Sequence, residues 1–65
     1  MSSVFLVFEE MHYEYKKVIF AAATKERAEE LLLKKYPSAK FNASENIYNL
    51  TSSTDLMIEE IEVIS

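Results

Sequence analysis

The residues best able to do chemistry in this chain lie close together near its N-terminus. The single histidine, His12, follows Glu9 and Glu10 and precedes Glu14. One imidazole and several carboxylates are ligands that a divalent cation can accept. In an extended strand, however, successive side chains alternate between two faces, so Glu9 and Glu10 are expected to point apart. The pattern therefore predicts a solvated hairpin tip, and we expect no metal site.

Catalysis would have to come from the second acidic group, Glu59, Glu60 and Glu62, or from a cofactor. Carboxylates acting as general acid and base need a cleft, which a chain of 65 residues rarely forms. The chain has no cysteine, which excludes disulfides and thiolate metal sites, and no glycine, which excludes phosphate-binding loops. We therefore expect no enzyme activity, no catalytic residue and no cofactor. The three glutamates are expected to form an exposed acidic edge that discourages aggregation.

Composition points to one folded domain spanning residues 1–65. Apolar residues make up 49% of the chain, including four Phe and four Tyr, which is typical of a folded protein. The net charge of −4 argues against direct binding of nucleic acid, because phosphate binding needs clustered Lys and Arg. No apolar run approaches the roughly 20 residues of a membrane span, and the N-terminus lacks a signal-peptide pattern. We predict a cytoplasmic protein with no membrane partner.

Two strands are predicted before the helix. The first, residues 3–9, contains the unbroken apolar run 4–8, and the second, residues 13–22, combines an alternating half with the solid apolar patch 18–21. The residues between them contain no Gly or Pro, so a tight primed turn is disfavoured and a longer loop around residues 10–12 is expected.

One helix is predicted over residues 25–36. Thr24 is its expected N-cap, and Pro37 ends it because proline cannot donate a backbone hydrogen bond. Its apolar stripe has helical spacing and consists of Ala28, Leu31, Leu32 and Tyr36.

The remainder of the chain is harder to interpret. Residues 38–54 are rich in turn-forming Asn, Ser and Thr, with short strands possible at 40–41 and 47–50. Residues 56–64 predict a last strand in which Leu56 and Ile58 have the opposite phase to Ile61 and Val63. Either both faces of this strand are partly covered, or a β-bulge near Glu59 and Glu60 resets the phase, and we favour the bulge.

Together these elements predict a two-layer α+β fold. We expect an antiparallel sheet of three to four strands with one helix packed on one face, in the order β-β-α-(β)-β.

Three segments carry a resemblance to known proteins. They are residues 4–9 (Val-Phe-Leu-Val-Phe-Glu), residues 20–30, which run from Phe-Ala-Ala-Ala into Thr-Lys-Glu-Arg-Ala-Glu-Glu, and residues 58–63 (Ile-Glu-Glu-Ile-Glu-Val). In these the chain resembles small uncharacterised proteins of Gram-positive bacteria and their phages or prophages, over about two-thirds of its length. The Asn/Ser/Thr segment before the last strand is longer here. The resemblance implies a phage or prophage origin and a similar fold, and its motifs carry no activity.

The leading functional hypothesis is a non-catalytic protein–protein interaction module. One helix can cover only one face of the sheet, yet the strands supply apolar residues to both, so a partner is expected: a second copy, a host protein, or both. Residues 38–50 folding over the second face are the competing explanation, and otherwise a homodimer is the simplest solution. The predicted contact surface comprises Phe5, Val7, Tyr13, Tyr15, Ile19, Glu59, Glu60 and Glu62.

The alternative hypothesis is an acidic DNA mimic that inhibits a nucleic-acid-binding enzyme. It requires the carboxylates to align as one stripe clear of basic residues. The residues concerned are Glu9, Glu10, Glu14, Glu59, Glu60 and Glu62.

Overall fold

A computed structural model describes residues 2–12 and 14–64 of the chain. It has five strands and one helix in the order β-β-α-β-β-β. They are β1 (Ser2–Met11), β2 (Tyr15–Ala22), α1 (Lys25–Lys35), β3 (Lys40–Asn42), β4 (Ile47–Asn49) and β5 (Thr54–Val63).

The strands form one antiparallel sheet in the spatial order β2-β1-β5-β4-β3. The expected α+β class with one helix and an antiparallel sheet is confirmed, although the sheet has five strands rather than three or four. The central pair is β1 with β5, whose register runs without a break from Ser2 opposite Val63 to Met11 opposite Thr54. The first and last strands along the chain are therefore neighbours at the centre of the sheet.

The helix begins and packs as its sequence predicts. The Thr24 side chain accepts a hydrogen bond from the backbone N–H of Arg27 at 3.1 Å, which satisfies one free amide of the first turn. Ala28 and Leu32 are fully buried, and Leu31 and Tyr36 pack against the core. The helix ends one residue earlier than expected, with Tyr36 as its C-cap.

The core lies between α1 and one face of the sheet. Val7 from β1 and Leu56 from β5 have no exposed surface, like Leu32 of the helix above them. Tyr48 of β4 extends this layer, and the centre of its ring lies 5.1 Å from the centre of the Phe41 ring in β3. The face of the sheet that carries Val7 and Leu56 is called the helix face below, and the opposite side is called the open face.

The predicted bulge in the last strand is wrong. All ten residues of β5 pair with β1 in continuous register, so Glu59 and Glu60 follow the normal alternation. Ile58 therefore lies on the helix face and Ile61 on the open face, which accounts for the change of apolar phase. The sheet's register shift lies instead between β1 and β2, where Val7 pairs with Phe20 but Phe8 pairs with Val18.

Residues 38–50 do not cover the open face. They form the β3–β4 hairpin, which extends the sheet beyond β5 and so confirms the two short strands expected there. Its turn includes Asn46 at a φ of 57°, a left-handed conformation that asparagine tolerates better than most residues. The competing explanation, that residues 38–50 fold over the second face of the sheet, is therefore wrong.

Candidate interaction surfaces

The open face carries a broad apolar patch. The single helix of residues 2–12 and 14–64 packs on the other side, so this patch has no second layer within the described chain. Val18 is 49% exposed and Ile61 41%, while the more central members are half-buried by their neighbours on the sheet. The patch spans three adjacent strands and consists of Val4, Leu6, Phe8, Val18, Met57 and Ile61.

One ion pair lies on this patch. The Lys16 Nζ is 2.9 Å from the Glu59 Oε2, and it also lies 4.6 Å from the centre of the Phe8 ring. Both charged side chains are exposed, and an exposed ion pair contributes roughly 1 kcal/mol or less to stability. The ion pair also means that the charges of Lys16 and Glu59 neutralise each other within one chain.

The predicted contact residues do not form one surface. Val7 is fully buried and has no surface to offer a partner, whereas Phe5 and Ile19 are partly buried and pack against the core on the helix face. Tyr15 is 40% exposed but donates a hydrogen bond to Glu9. Tyr13 lies outside the described residues.

The three acidic residues of the predicted surface divide between the two faces. Glu59 belongs to the open face, whereas Glu60 and Glu62 belong to the helix face. All three are exposed.

Glu9 is a buried carboxylate rather than part of a solvated hairpin tip. Strand β1 continues past it to Met11, and Glu9 is only 8% exposed. Its Oε1 accepts a hydrogen bond from the Tyr36 hydroxyl at 2.6 Å and its Oε2 one from the Tyr15 hydroxyl at 3.0 Å. Lys17 Nζ lies 4.0 Å away. The two hydrogen bonds and the nearby lysine offset the cost of burying the negative charge of Glu9.

The hydrogen bonds shift the titration of the groups that share them. The Tyr36 hydroxyl holds the pKa of Glu9 below its ordinary value, against the opposing effect of burial. The same bond to the Glu9 carboxylate, together with burial, raises the pKa of Tyr36 to about 12. With both pKa values shifted in these directions, Glu9 is charged and Tyr36 is neutral at neutral pH.

A different acidic group surrounds His12. Glu10 and Asp55 face each other across β1 and β5, and their carboxylates lie with the imidazole nitrogen within 4.8 Å of one another. Such a set could hold a divalent cation. The His12 Nε2 is 2.7 Å from the Asp55 Oδ2, and Asn49 donates to the other Asp55 oxygen at 2.9 Å. Asp55 is thus satisfied by protein groups alone.

The His12–Asp55 contact also shifts both pKa values. The hydrogen bond to Asp55 raises the pKa of His12, and the same bond lowers that of Asp55. Sequence reasoning missed Asp55, because only the β1–β5 register brings it beside Glu10. Glu9 lies on the opposite face of the sheet from Glu10, as strand alternation predicts.

The carboxylates required for DNA mimicry do not form one unpaired stripe. Glu9 is buried against two tyrosines, and Glu59 is bonded to Lys16. Glu10 lies on the open face, whereas Glu60 and Glu62 lie on the helix face. This distribution gives the mimicry hypothesis no support.

Comparison with known proteins gave no match to a family model, to a curated protein or to a solved structure. Among the described residues, no helix combines the length and apolar character needed to cross a membrane.

Proposed function

We propose that this chain is a non-catalytic protein–protein interaction module of phage or prophage type, acting in the cytoplasm, and that its open face binds a second copy of itself. The observation that carries the proposal is the apolar patch on β1, β2 and β5, which the helix leaves without a second layer. Soluble monomers rarely leave a contiguous apolar patch larger than a few hundred Å² in water.

A second copy fits this face in both shape and charge. Two sheets pack face to face about 10 Å apart, and a two-fold axis brings the same patch of each copy together. Lys16 and Glu59 already neutralise each other, so two copies can approach without placing like charges opposite one another at that point. Val18 and Ile61, the most exposed members of the patch, would lose the most surface to water.

Light scattering over a concentration series tests the proposal. The measured mass should rise from the monomer value of 7.5 kDa toward twice that value as concentration increases. Val18→Lys and Ile61→Lys should each raise the dissociation constant of the dimer at least about tenfold, because each buries a charge at the interface.

The matched control is Leu33→Lys. Leu33 is 40% exposed, close to the values for Val18 and Ile61, but it lies on α1. It should leave the dimer unchanged, and circular dichroism checks that each variant is folded. A mass of 7.5 kDa at every concentration would reject the second copy as the partner, and so would equal weakening by Leu33→Lys.

A further inference from the structure

We propose that the outer edge of β5, centred on Glu60 and Glu62, binds an extended segment of another protein in which basic and apolar residues alternate. This edge borders the open face and shares Ile61 with its apolar patch, but the inference does not depend on self-association. The segment would add a strand to the sheet, with backbone hydrogen bonds giving affinity and alternate side chains giving specificity.

The edge is available because the neighbouring strand is short. β5 has ten residues, but β4 pairs only with Asp55 and Leu56. Beyond Leu56, no strand of the described chain pairs with the outer side of β5 through to Val63. An unpaired strand edge presents a row of free backbone N–H and C=O groups, which act as a template for another chain.

Two hydrogen bonds at the start of β5 show which residues direct their backbone outward. The Ser53 carbonyl accepts from His12 N–H on the β1 side, whereas the Thr54 carbonyl accepts from Leu50 N–H on the β4 side. Because the β1–β5 register is continuous, this alternation persists along the strand. The backbone groups of Glu60 and Glu62 therefore face outward, while those of Ile61 face β1.

The side chains along the edge define the chemistry of the partner. Glu60 and Glu62 are exposed on the helix face, and none of the ion pairs among the described residues includes either of them. Ile61 and Val63 lie on the open face and are 41% and 42% exposed. A strand with basic residues opposite the glutamates and apolar residues between them would match both sets, since directly opposite residues share a face.

The edge strand β2 of a second copy does not supply that pattern. Lys16 and Lys17 of β2 are adjacent, so they lie on opposite faces rather than two positions apart on one face. Lys16 is also bonded to Glu59. Pairing β5 with another β5 would bring glutamates together, which is destabilising.

The test uses a capped synthetic peptide in which lysine and valine alternate, titrated into the Val18→Lys variant to keep self-association out of the measurement. Glu60→Gln/Glu62→Gln should weaken the binding of this peptide at least about tenfold. Glu14→Gln/Glu26→Gln removes the same number of charges from exposed sites elsewhere and should change binding less than about twofold.

Hydrogen exchange identifies the edge directly. On addition of the peptide, the amides of Glu60 and Glu62 should become protected, while that of Ile61, which already faces β1, should change little. A peptide with the same lysines and valines in two separate blocks should bind weakly. Equal binding of the two peptides, or no new protection at Glu60 and Glu62, would overturn the proposal, whatever the oligomeric state proves to be.

Discussion

Replacing Tyr36 by Phe tests whether the buried Glu9 is held by its tyrosine partners. The substitution keeps the ring that packs against the core but removes the hydroxyl that donates to Glu9 Oε1 at 2.6 Å. Hydrogen bonds to charged groups contribute about 1.5–3 kcal/mol to stability.

We therefore expect Tyr36→Phe to lower the free energy of unfolding by about 2 kcal/mol, measured by urea denaturation near pH 7. The matched control, Tyr15→Phe, removes a longer bond of 3.0 Å from a residue that is 40% exposed. It should cost clearly less than Tyr36→Phe, because water can replace that hydroxyl more easily.

The pH dependence of Tyr36→Phe gives a second and independent check. The pKa of Glu9 is lowered in the folded state, so its stabilising contribution is present above its unfolded value and is lost as the pH falls through its folded value. The difference between the wild type and Tyr36→Phe should therefore shrink in acid. A loss no larger than that of Tyr15→Phe, or a difference that is unchanged in acid, would refute the assignment of Tyr36 as the main partner of Glu9.

Two further predictions concern the core and the His12–Asp55 contact. Leu32→Ala should destabilise the fold by about 2–5 kcal/mol through the cavity it leaves, whereas Leu33→Ala on the exposed side of α1 should cost less than about 1 kcal/mol in the same urea titration. The raised pKa of His12 means that its contact with Asp55 stabilises the fold fully below about pH 6.5 and loses that contribution as the pH rises through the folded pKa. The urea midpoint of the wild type should exceed that of His12→Gln most clearly near pH 5, and a difference that grows toward alkaline pH would contradict the contact.

The helix and the two strands before it could be predicted because their signals are local, although the full order contains one strand more than predicted. Thr24, the stripe containing Leu32, and Pro37 act within a few residues of one another, so the sequence defines the beginning, the buried side and the end of α1. The place of Glu9 could not be predicted in this way. A glutamate after an apolar run resembles the end of a strand, and its stabilising partner Tyr36 lies 27 positions away.

Which face of the sheet the helix covers could not be predicted from the sequence either. Val7 and Phe8 are neighbours of similar apolarity, and alternation alone does not say which of them the helix covers. The change of apolar phase in the last strand is compatible with a bulge or with cover on both faces, and the local pattern does not distinguish the two. In the structure both faces are partly apolar, so Ile58 and Ile61 can each follow a regular register.

The central position of β1 and β5 also affects how the chain can fold during synthesis. β1 is made first but finds its longest partner only when β5 emerges, because the two strands pair from Met11 opposite Thr54 to Ser2 opposite Val63. Contacts between residues so distant in sequence slow folding, since the intervening loop must close before the pair is stabilised. A nascent chain that ends within β4 contains β1, β2 and α1 but lacks the strand that completes their core. The apolar residues of β1 would then be exposed to other chains near the ribosome.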